Sequence, residues 1–182
     1  MIVARTPAEL QLKPRAVAVG SFDGVHRGHR AVVEAIKATG LRPTVITFDP
    51  HPRIALGNRV ELLTTLERRL ELLEELGIEE TLVAAFTPEL QALAPEEFAE
   101  QYLRAIGTEA VVAGEDFRFG RRRSGDLALL ERLGFEVVAV PEVPGLSSTA
   151  IRAALADGDV VTAAAMLGRP FELDGIVVAG DQ

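Results

Sequence analysis

Five short apolar runs alternate along the chain with segments of helical spacing, and this alternation restricts the fold more than any other feature of the sequence. The runs are typical of buried β-strands, and they cover Ala16–Val19, Val45–Phe48, Thr81–Phe86, Ala110–Ala113 and Phe135–Val140. The helical segments cover His26–Ala38, Thr65–Leu76, a segment that opens at Pro95, and Ser124–Leu133. The sequence therefore predicts an α/β fold with a five-stranded parallel sheet and helices on both faces.

The loops that follow these strands are the expected place for a ligand, because open parallel sheets bind ligands beyond the carboxyl ends of their strands. Four such loops have unusual compositions: GSFDGVHRGH at 20–29, FDPHPR at 48–53, GEDFRFG at 114–120 and PEVPGLSSTAIR at 141–152. The leucines at 66, 70, 73 and 76, with charged residues between them, are interpreted as core plus a solvated helix surface.

Composition narrows the class of protein. A chain of 182 residues is long enough for one domain with a substantial core. Its net charge of −8 gives no indication of nucleic acid or an anionic membrane as a partner. The sequence has no Cys, which excludes thiolate zinc sites and Cys nucleophiles within it, and no apolar run long enough to span a bilayer. We expect a cytoplasmic protein.

The first of the four loops combines glycines with two histidines at the start of a helix. Glycine lets a backbone approach a ligand closely, and a helix N-terminus offers free N–H groups to an anion. His26 and His29 are three residues apart, hence neighbours on one helical face, with Gly28 between them. Two imidazole donors there suit a phosphate that gains charge during transfer. Two other interpretations of this pair are open. It could bind zinc, although a zinc site needs further ligands and the remaining histidine, His51, lies in another loop. It could also be a pair of histidines satisfied within the core.

The fourth loop ends in Ser147-Ser148-Thr149-Ala150-Ile151-Arg152, at the start of a further predicted helix. Alone, this segment is an ordinary N-cap signal. Its position after the last predicted strand places it at the same end of the sheet as His26. Hydroxyls, helix amides and Arg152 would together hold a pyrophosphate. The common alternatives for phosphate binding, a G-x-x-x-x-G-K-[ST] loop and a G-x-G-x-x-G loop after the first strand, are both absent from the sequence.

These segments, with Leu167–Phe171 (LGRPF), resemble the adenylyltransferase module of bacterial bifunctional riboflavin kinase/FMN adenylyltransferases, also called FAD synthetases. The H-x-G-H and S-S-T-x-x-R motifs belong to the wider nucleotidyltransferase superfamily, whereas the loops at 47–53 and 114–120 are specific to the flavin branch. The resemblance implies a Rossmann-like fold and the reaction of ATP with FMN to give FAD and pyrophosphate. It implies Mg²⁺ as a cofactor, bound mainly through the ATP phosphates, and no metal site built from protein ligands.

The resemblance also implies roles for individual residues. His26, His29 and Arg152 would be catalytic. The expected ATP-binding residues are Gly20, Ser21, Phe22, Asp23, Gly24, Gly28, Ser148 and Thr149. The expected flavin-binding residues are Phe48, Pro50, His51, Arg53, Asp116, Phe117 and Arg118. Ser21 stands where asparagine is common in the family, and Gly145-Leu146 supplies no basic residue where members often have one.

We expect residues 1–158 to form the adenylyltransferase domain. Residues 159–182 resemble a linker helix, about Asp159–Leu167, and the first strand of a riboflavin kinase domain, Phe171–Val178. Riboflavin kinase activity is therefore not expected from these 182 residues. Two alternatives remain: a catalytically silent nucleotide-binding regulatory module, and an adenylyltransferase for another phosphorylated cofactor precursor.

Overall fold

A six-stranded parallel sheet is the centre of the computed structural model, which describes residues 1–173 and residue 175. Its strands are β1 (Ile2–Ala4), β2 (Arg15–Val19), β3 (Arg42–Asp49), β4 (Glu80–Ala85), β5 (Thr108–Gly114) and β6 (Glu136–Val140). They lie in the order β1-β4-β3-β2-β5-β6, and each neighbouring pair is parallel. The chain moves outward from β2 to β4 and then returns to the other side of β2, which makes the end of β2 a switch point suited to ligand binding.

The predicted parallel α/β sheet is confirmed, with six strands in place of five. The strand that the prediction lacks is β1, which pairs with β4 at the edge of the sheet. It is only three residues long, and Ile2 and Val3 are 54% and 43% exposed. Its apolar run, residues 1–4, is too short to show an alternating pattern, so the sequence does not distinguish it from a loop.

Helices cover both faces of the sheet. They are α1 (Arg27–Ala38), α2 (Pro52–Ala55), α3 (Leu66–Glu75), α4 (Pro88–Ala92), α5 (Pro95–Phe98), α6 (Leu127–Arg132), α7 (Ser148–Ala156) and α8 (Val160–Leu167). The chain continues from α5 through a π turn at Ala99–Leu103 and a 3-10 turn at Arg104–Ile106. Short 3-10 turns also occur at Pro7–Glu9 and Arg121–Arg123. The sequence predicted neither α2 nor α4, which have four and five residues and each begin with proline.

Side-chain caps explain where the predicted helices begin. Thr65 is the N-cap of α3, with its hydroxyl accepting from the Arg68 N–H. The helix predicted from Ser124 begins instead at Leu127, because the Asp126 carboxylate accepts from the Leu129 N–H at 2.9 Å and caps the helix there.

The leucine face predicted on α3 is partly wrong. Leu73 is buried, as expected, whereas the leucines at 66, 70 and 76 are only half-buried. The side chains that α3 buries are Arg69, Leu72 and Leu73. The inner face of the helix therefore includes a charged residue.

Two apolar clusters form the core, one on each face of the sheet. A third and smaller cluster joins Leu63, Ile151, Ala163 and Leu167. Because Ile151 lies on α7 and Leu167 on α8, this cluster packs the two helices against each other, across the boundary predicted at residue 158. Of the strand predicted at Phe171–Val178, residues 171–173 and 175 have no regular secondary structure, and the rest lies outside the described residues.

Candidate active site

The loop between β2 and α1 is tightly wound and buried. Phe22, Gly24 and Val25 all have positive φ, at 51°, 82° and 40°, a conformation that is unfavourable for residues other than glycine. Phe22 and Val25 are 3% and 0% exposed, so packing holds them in place. At Gly24 a Cβ atom would lie 2.8 Å from Leu63 Cδ1, so the position has neither the space nor the backbone angle for a side chain.

The two histidine rings of this segment stack on each other. Their centroids are 3.7 Å apart and their planes are inclined by 16°. His26 is the N-cap of α1, and its Nδ1 accepts from the His29 N–H at 3.4 Å. That bond leaves the hydrogen of a neutral His26 on Nε2. At Gly28 a Cβ would lie 3.1 Å from His26 Cε1, so glycine there keeps the stacked pair uncrowded.

Both imidazoles are neutral at physiological pH. Burial lowers the pKa of His26 to about 4, against the opposing effect of the Asp23 charge. Burial also lowers the pKa of His29 well below its usual value, and the charges of His26 and Arg69 lower it further. Each ring therefore offers one N–H donor and one acceptor nitrogen, without a net charge.

Asp23 connects three segments of the site. The residue is only 1% exposed. Its carboxylate accepts from the Leu63 N–H at 2.9 Å and from the Thr64 N–H at 3.1 Å. It also forms an ion pair with Arg152 of α7. The carbonyl of Asp23 accepts from the Ser148 hydroxyl at 2.9 Å. These bonds fix the loop before α1, the segment before α3 and the start of α7 relative to one another.

The N-terminus of α7 lies beside that of α1. Ser147 is the N-cap of α7, and its hydroxyl accepts from the Ala150 N–H at 3.1 Å. A Cβ at Gly28 would lie 3.6 Å from Leu146 Cδ2, which places the two helix starts in contact. Thr149 is exposed there. Two helix N-termini that meet in this way concentrate free N–H groups and positive potential, which favours a polyanion.

The loop at 48–53 approaches the same point from β3. His51 is the N-cap of α2, with its Nδ1 accepting from the Arg53 N–H at 3.2 Å. Burial lowers the pKa of His51, an effect that the Asp23 charge opposes and the Arg152 charge reinforces. His51 thus lies within the electrostatic reach of the groups that join α1 and α7. Pro50 and Arg53 are exposed, and the ring of Phe48 packs edge-on against Phe86 at 5.3 Å.

The loop at 114–120 forms a rim on the other side of β2. Phe117 and Phe119 stack with centroids 5.7 Å apart, and Phe119 pairs with Gly125 through two backbone hydrogen bonds. Phe119 and Phe48 belong to the same apolar cluster, with Phe117 packed against it. Asp116 and Arg118 are exposed, and a hydrogen bond with Asp116 raises the pKa of Glu142. The structure therefore joins the starts of α1 and α7, and it places the two loops with the predicted flavin residues after β3 and β5, the strands on either side of β2.

Four further residues build this site without having been predicted from the sequence: Thr47, Leu63, Thr64 and Arg69. The Thr47 hydroxyl donates to the Ser21 carbonyl at 3.1 Å, which ties β3 to the loop before α1. Arg69 is 2% exposed and donates to Thr47 and to the Phe48 carbonyl. A signal for Arg69 exists, since it precedes Leu72 and Leu73 by three and four residues and so shares the apolar face of α3.

Within residues 1–173 and 175, no cluster of three or more His, Asp or Glu side chains is arranged to hold a metal ion. In that same part of the chain, no helix is both long and apolar enough to cross a membrane.

Comparison with known proteins identifies relatives over most of the chain. Residues 8–153 match the FAD synthetase family. The chain is 38% identical to the bifunctional riboflavin kinase/FMN adenylyltransferase of Listeria monocytogenes, over 92% of this chain and 58% of that protein. It is 35% identical to the protein of the same name from Escherichia coli K12, over 90% of this chain and 57% of that protein. The chain thus spans a little over half the length of these relatives. A Geobacillus thermodenitrificans protein, given the same name provisionally, is 39% identical over 89% of this chain and 94% of its own length.

Solved structures share the fold. The crystal structure of a macrolide-efflux protein from Streptococcus pneumoniae superimposes with a TM-score of 0.84 at 29% identity, over 94% of this chain and 72% of that one. A nicotinate-nucleotide adenylyltransferase from Vibrio parahaemolyticus, also provisionally named, has a TM-score of 0.51 at 18% identity, over 83% of this chain and 92% of that one. The second likeness concerns the fold alone.

Proposed function

The chain belongs to the FAD synthetase family, and from that premise we propose that it is an FMN adenylyltransferase, which converts ATP and FMN to FAD and pyrophosphate. The observation that carries the proposal is the meeting of the α1 and α7 N-termini around the stacked His26 and His29. This arrangement suits a triphosphate, and the loops at 48–53 and 114–120 follow the strands on either side of β2, where a second substrate would lie beside it.

The reaction needs no covalent intermediate with the protein. An oxygen of the FMN phosphate attacks the α-phosphorus of ATP, the bond between that phosphorus and the bridging oxygen breaks, and pyrophosphate leaves with the electron pair. The protein contributes positioning and stabilisation of the charge on the transferred phosphoryl group. His26 and His29 donate hydrogen bonds to oxygens of that group, which gain charge in the transition state.

The start of α7 holds the leaving pyrophosphate in this proposal. Ser148, Thr149 and the free N–H groups of the helix bind the β- and γ-phosphates. Arg152 donates from Nε to the Glu61 carbonyl at 2.7 Å and from one Nη to Asp23. Because a guanidinium has five N–H donors, further donors of Arg152 remain for a phosphate. Gly20–Gly24 and Gly28 form the floor of the ATP pocket.

Asp23 is one of the residues expected in the ATP pocket, and its hydrogen bonds support an indirect contribution there. Its carboxylate is already engaged by Leu63, Thr64 and Arg152. We propose that it contributes to the pocket by fixing Arg152 and the two helix starts, and that the nucleotide meets the backbone of residues 20–24.

Mg²⁺ fits the reaction as a partner of ATP. The donor chemistry around α1 and α7 is that of N–H groups, hydroxyls and imidazoles, with the one buried carboxylate engaged by Arg152. Such a donor set suits phosphate oxygens better than a hard cation, so most of the ligands of Mg²⁺ would be oxygens of the triphosphate. When bound, the ion neutralises part of the triphosphate charge.

The flavin site is proposed around Phe48, Pro50, His51 and Arg53 on one side and Asp116, Phe117 and Arg118 on the other. The aromatic rings of Phe48 and Phe117 adjoin one apolar cluster, which would carry one edge of an isoalloxazine ring. We assign adenylyl transfer to residues 1–158 and expect no riboflavin phosphorylation from the 182 residues.

The test is a chromatographic assay of the purified chain with Mg-ATP and either FMN or riboflavin. FAD and pyrophosphate from FMN, with no FMN formed from riboflavin, is the expected result. Binding of ATP without product from FMN would refute the proposal and favour the silent regulatory module. Product from a pantetheine or nicotinamide phosphate, but none from FMN, would indicate the other adenylyltransferase alternative.

A further inference from the structure

Arg69 is a buried cation without an assigned role in the proposed reaction. It lies on the inner face of α3, 2% exposed, next to the buried Leu72 and Leu73. Its Nη1 donates to Thr47 Oγ1 at 3.5 Å and to the Phe48 carbonyl at 3.4 Å, distances at the long limit of a hydrogen bond. Its Nε has no partner among the described residues. Nor does Arg69 form an ion pair within 4.0 Å in residues 1–173 and 175.

An arginine in this environment is costly to the fold. Burial lowers the pKa of Arg69, against the opposing charges of Asp23, Asp49 and Glu67. Buried charges are normally paired and fully hydrogen-bonded, because an unpaired one loses its hydration without compensation. A leucine at position 69 would extend the apolar face of α3 without this cost. The position therefore calls for an anion that the folded chain does not itself supply.

The surroundings of Arg69 show which anion fits. Its charge contributes to lowering the pKa of both His29 and His51. Its two hydrogen bonds reach Thr47 and Phe48, where β3 leads into the loop at 48–53. Arg69 thus lies between the residues proposed for the ATP phosphates and those proposed for the flavin.

The charge balance of the site requires a cation there. His26 and His29 are neutral at physiological pH, and Arg152 is paired with Asp23. An oxygen of the FMN phosphate must nevertheless come within about 3–3.5 Å of the α-phosphorus of ATP for the reaction to proceed. Arg69 is a buried positive charge without an ion pair in the described part of the chain, and it can offset part of the repulsion between the two phosphate groups.

We propose that the guanidinium of Arg69 binds the phosphate of FMN and positions its oxygen for attack on ATP, an inference that rests on the proposed function. The long bonds to Thr47 and Phe48 are weak enough for a phosphate dianion to replace. Arg69 then distinguishes FMN from riboflavin, which has the same ring system and lacks the phosphate.

The experiment compares FMN and riboflavin binding in matched variants, by quenching of flavin fluorescence. The wild-type chain should bind FMN more tightly than riboflavin. Arg69→Met should weaken FMN binding by about 10- to 100-fold, the usual scale for losing hydrogen bonds to a charged group, and leave riboflavin binding within about twofold. The KM for FMN should rise to a similar extent, with the KM for ATP nearly unchanged. Arg69→Lys should recover part of the FMN preference, because the charge remains.

Arg68→Met is the control, since Arg68 is the neighbouring residue on α3 and its ion pairs with Glu71, Glu75 and Glu172 lie on the surface. It should leave both flavin affinities unchanged. Arg69→Gln serves as a second variant if Arg69→Met does not fold, and it too should lose the preference for FMN.

Three results would overturn the inference: a wild-type chain without preference for FMN, an equal loss of FMN and riboflavin binding in the Arg69 variants, or a rise in the KM for ATP alone. Failure of the proposed function gives a different result. In that case the wild-type chain makes no FAD, while the ratio of FMN to riboflavin affinity still reports on Arg69.

Discussion

Replacing Asp23 with asparagine tests the ion pair between Asp23 and Arg152, which joins the loop before α1 to α7. The substitution removes the charge that faces Arg152 and leaves one oxygen to accept from the Leu63 or Thr64 N–H. Removing one partner of a buried ion pair costs about 3–5 kcal/mol. The Arg152 side chain is 18% exposed and so stays partly hydrated, which favours the lower end, about 3 kcal/mol. For a domain of this size, that loss corresponds to a fall in Tm of roughly 6–12 °C.

The measurement is urea unfolding followed by circular dichroism, on Asp23→Asn, Arg152→Met and the double variant. If the ion pair connects the segments, the two changes should be non-additive, with a coupling energy of about 1–3 kcal/mol. Asp157→Asn is the control, because Asp157 is exposed at the end of α7, and it should change the free energy of unfolding by less than about 0.5 kcal/mol. Strictly additive effects, or an Asp23 variant as stable as the control, would refute this role.

The remaining predictions concern the histidines, the acid limit and the loop before α1. His29→Ala should lower turnover by about 10²–10³, the scale of one transition-state donor; unchanged turnover in a folded variant would remove His29 from the mechanism. His26→Asn should lose turnover similarly while its side chain still caps α1, as the amide signals of that helix in NMR spectra would show. Arg152→Ala should raise the KM for ATP as well as lower turnover, and an effect on Tm alone would count against a phosphate contact. The lowered pKa of His26 means that the unfolded chain binds a proton near pH 6.5 that the folded chain binds only near pH 4. Stability should therefore fall by up to about 3 kcal/mol as pH drops through that interval, and His26→Asn should flatten the decline in urea titrations. Gly24→Ala should reduce stability by more than about 1 kcal/mol in the same titrations, because φ is 82° and the new Cβ would meet Leu63; a neutral effect would show that the loop is free to shift.

Elements with a repeated local pattern were predictable from the sequence. The strands β2 to β5 are largely buried runs, whereas β6, predicted as a buried strand, is an edge strand in which no residue is buried. The helices α1 and α3 begin close to the positions that the sequence predicts. The glycine after α6 ends that helix in the left-handed conformation, with φ of 88° at Gly134. The elements missed, β1, α2 and α4, have three to five residues, which is too short for a periodicity to develop.

Contacts between distant parts of the chain were not predictable. Asp23 finds its partners 40, 41 and 129 residues further along, at Leu63, Thr64 and Arg152. No local pattern encodes such pairings, so the motif around Asp23 predicts a place in the nucleotide pocket but not the bonds that join three segments of the chain. Arg69 was missed for a related reason. Arginine on a helix is usually solvated, and only the packing of α3 against β3 shows that this one is buried.

The electrostatics of the site follow from the need to bring two anions together. A cluster of charged side chains would attract the phosphates but would repel itself when they are absent, at a cost to the folded state. The chain instead uses groups without net charge: helix N–H groups at α1 and α7, and two imidazoles that burial keeps neutral. The cation of Arg152 is balanced by Asp23, whereas Arg69 is buried without an ion pair in the described part of the chain. Most of the attraction for phosphate therefore comes from dipoles that need no counter-charge, and the buried cation of Arg69 lies where we propose that the second phosphate binds.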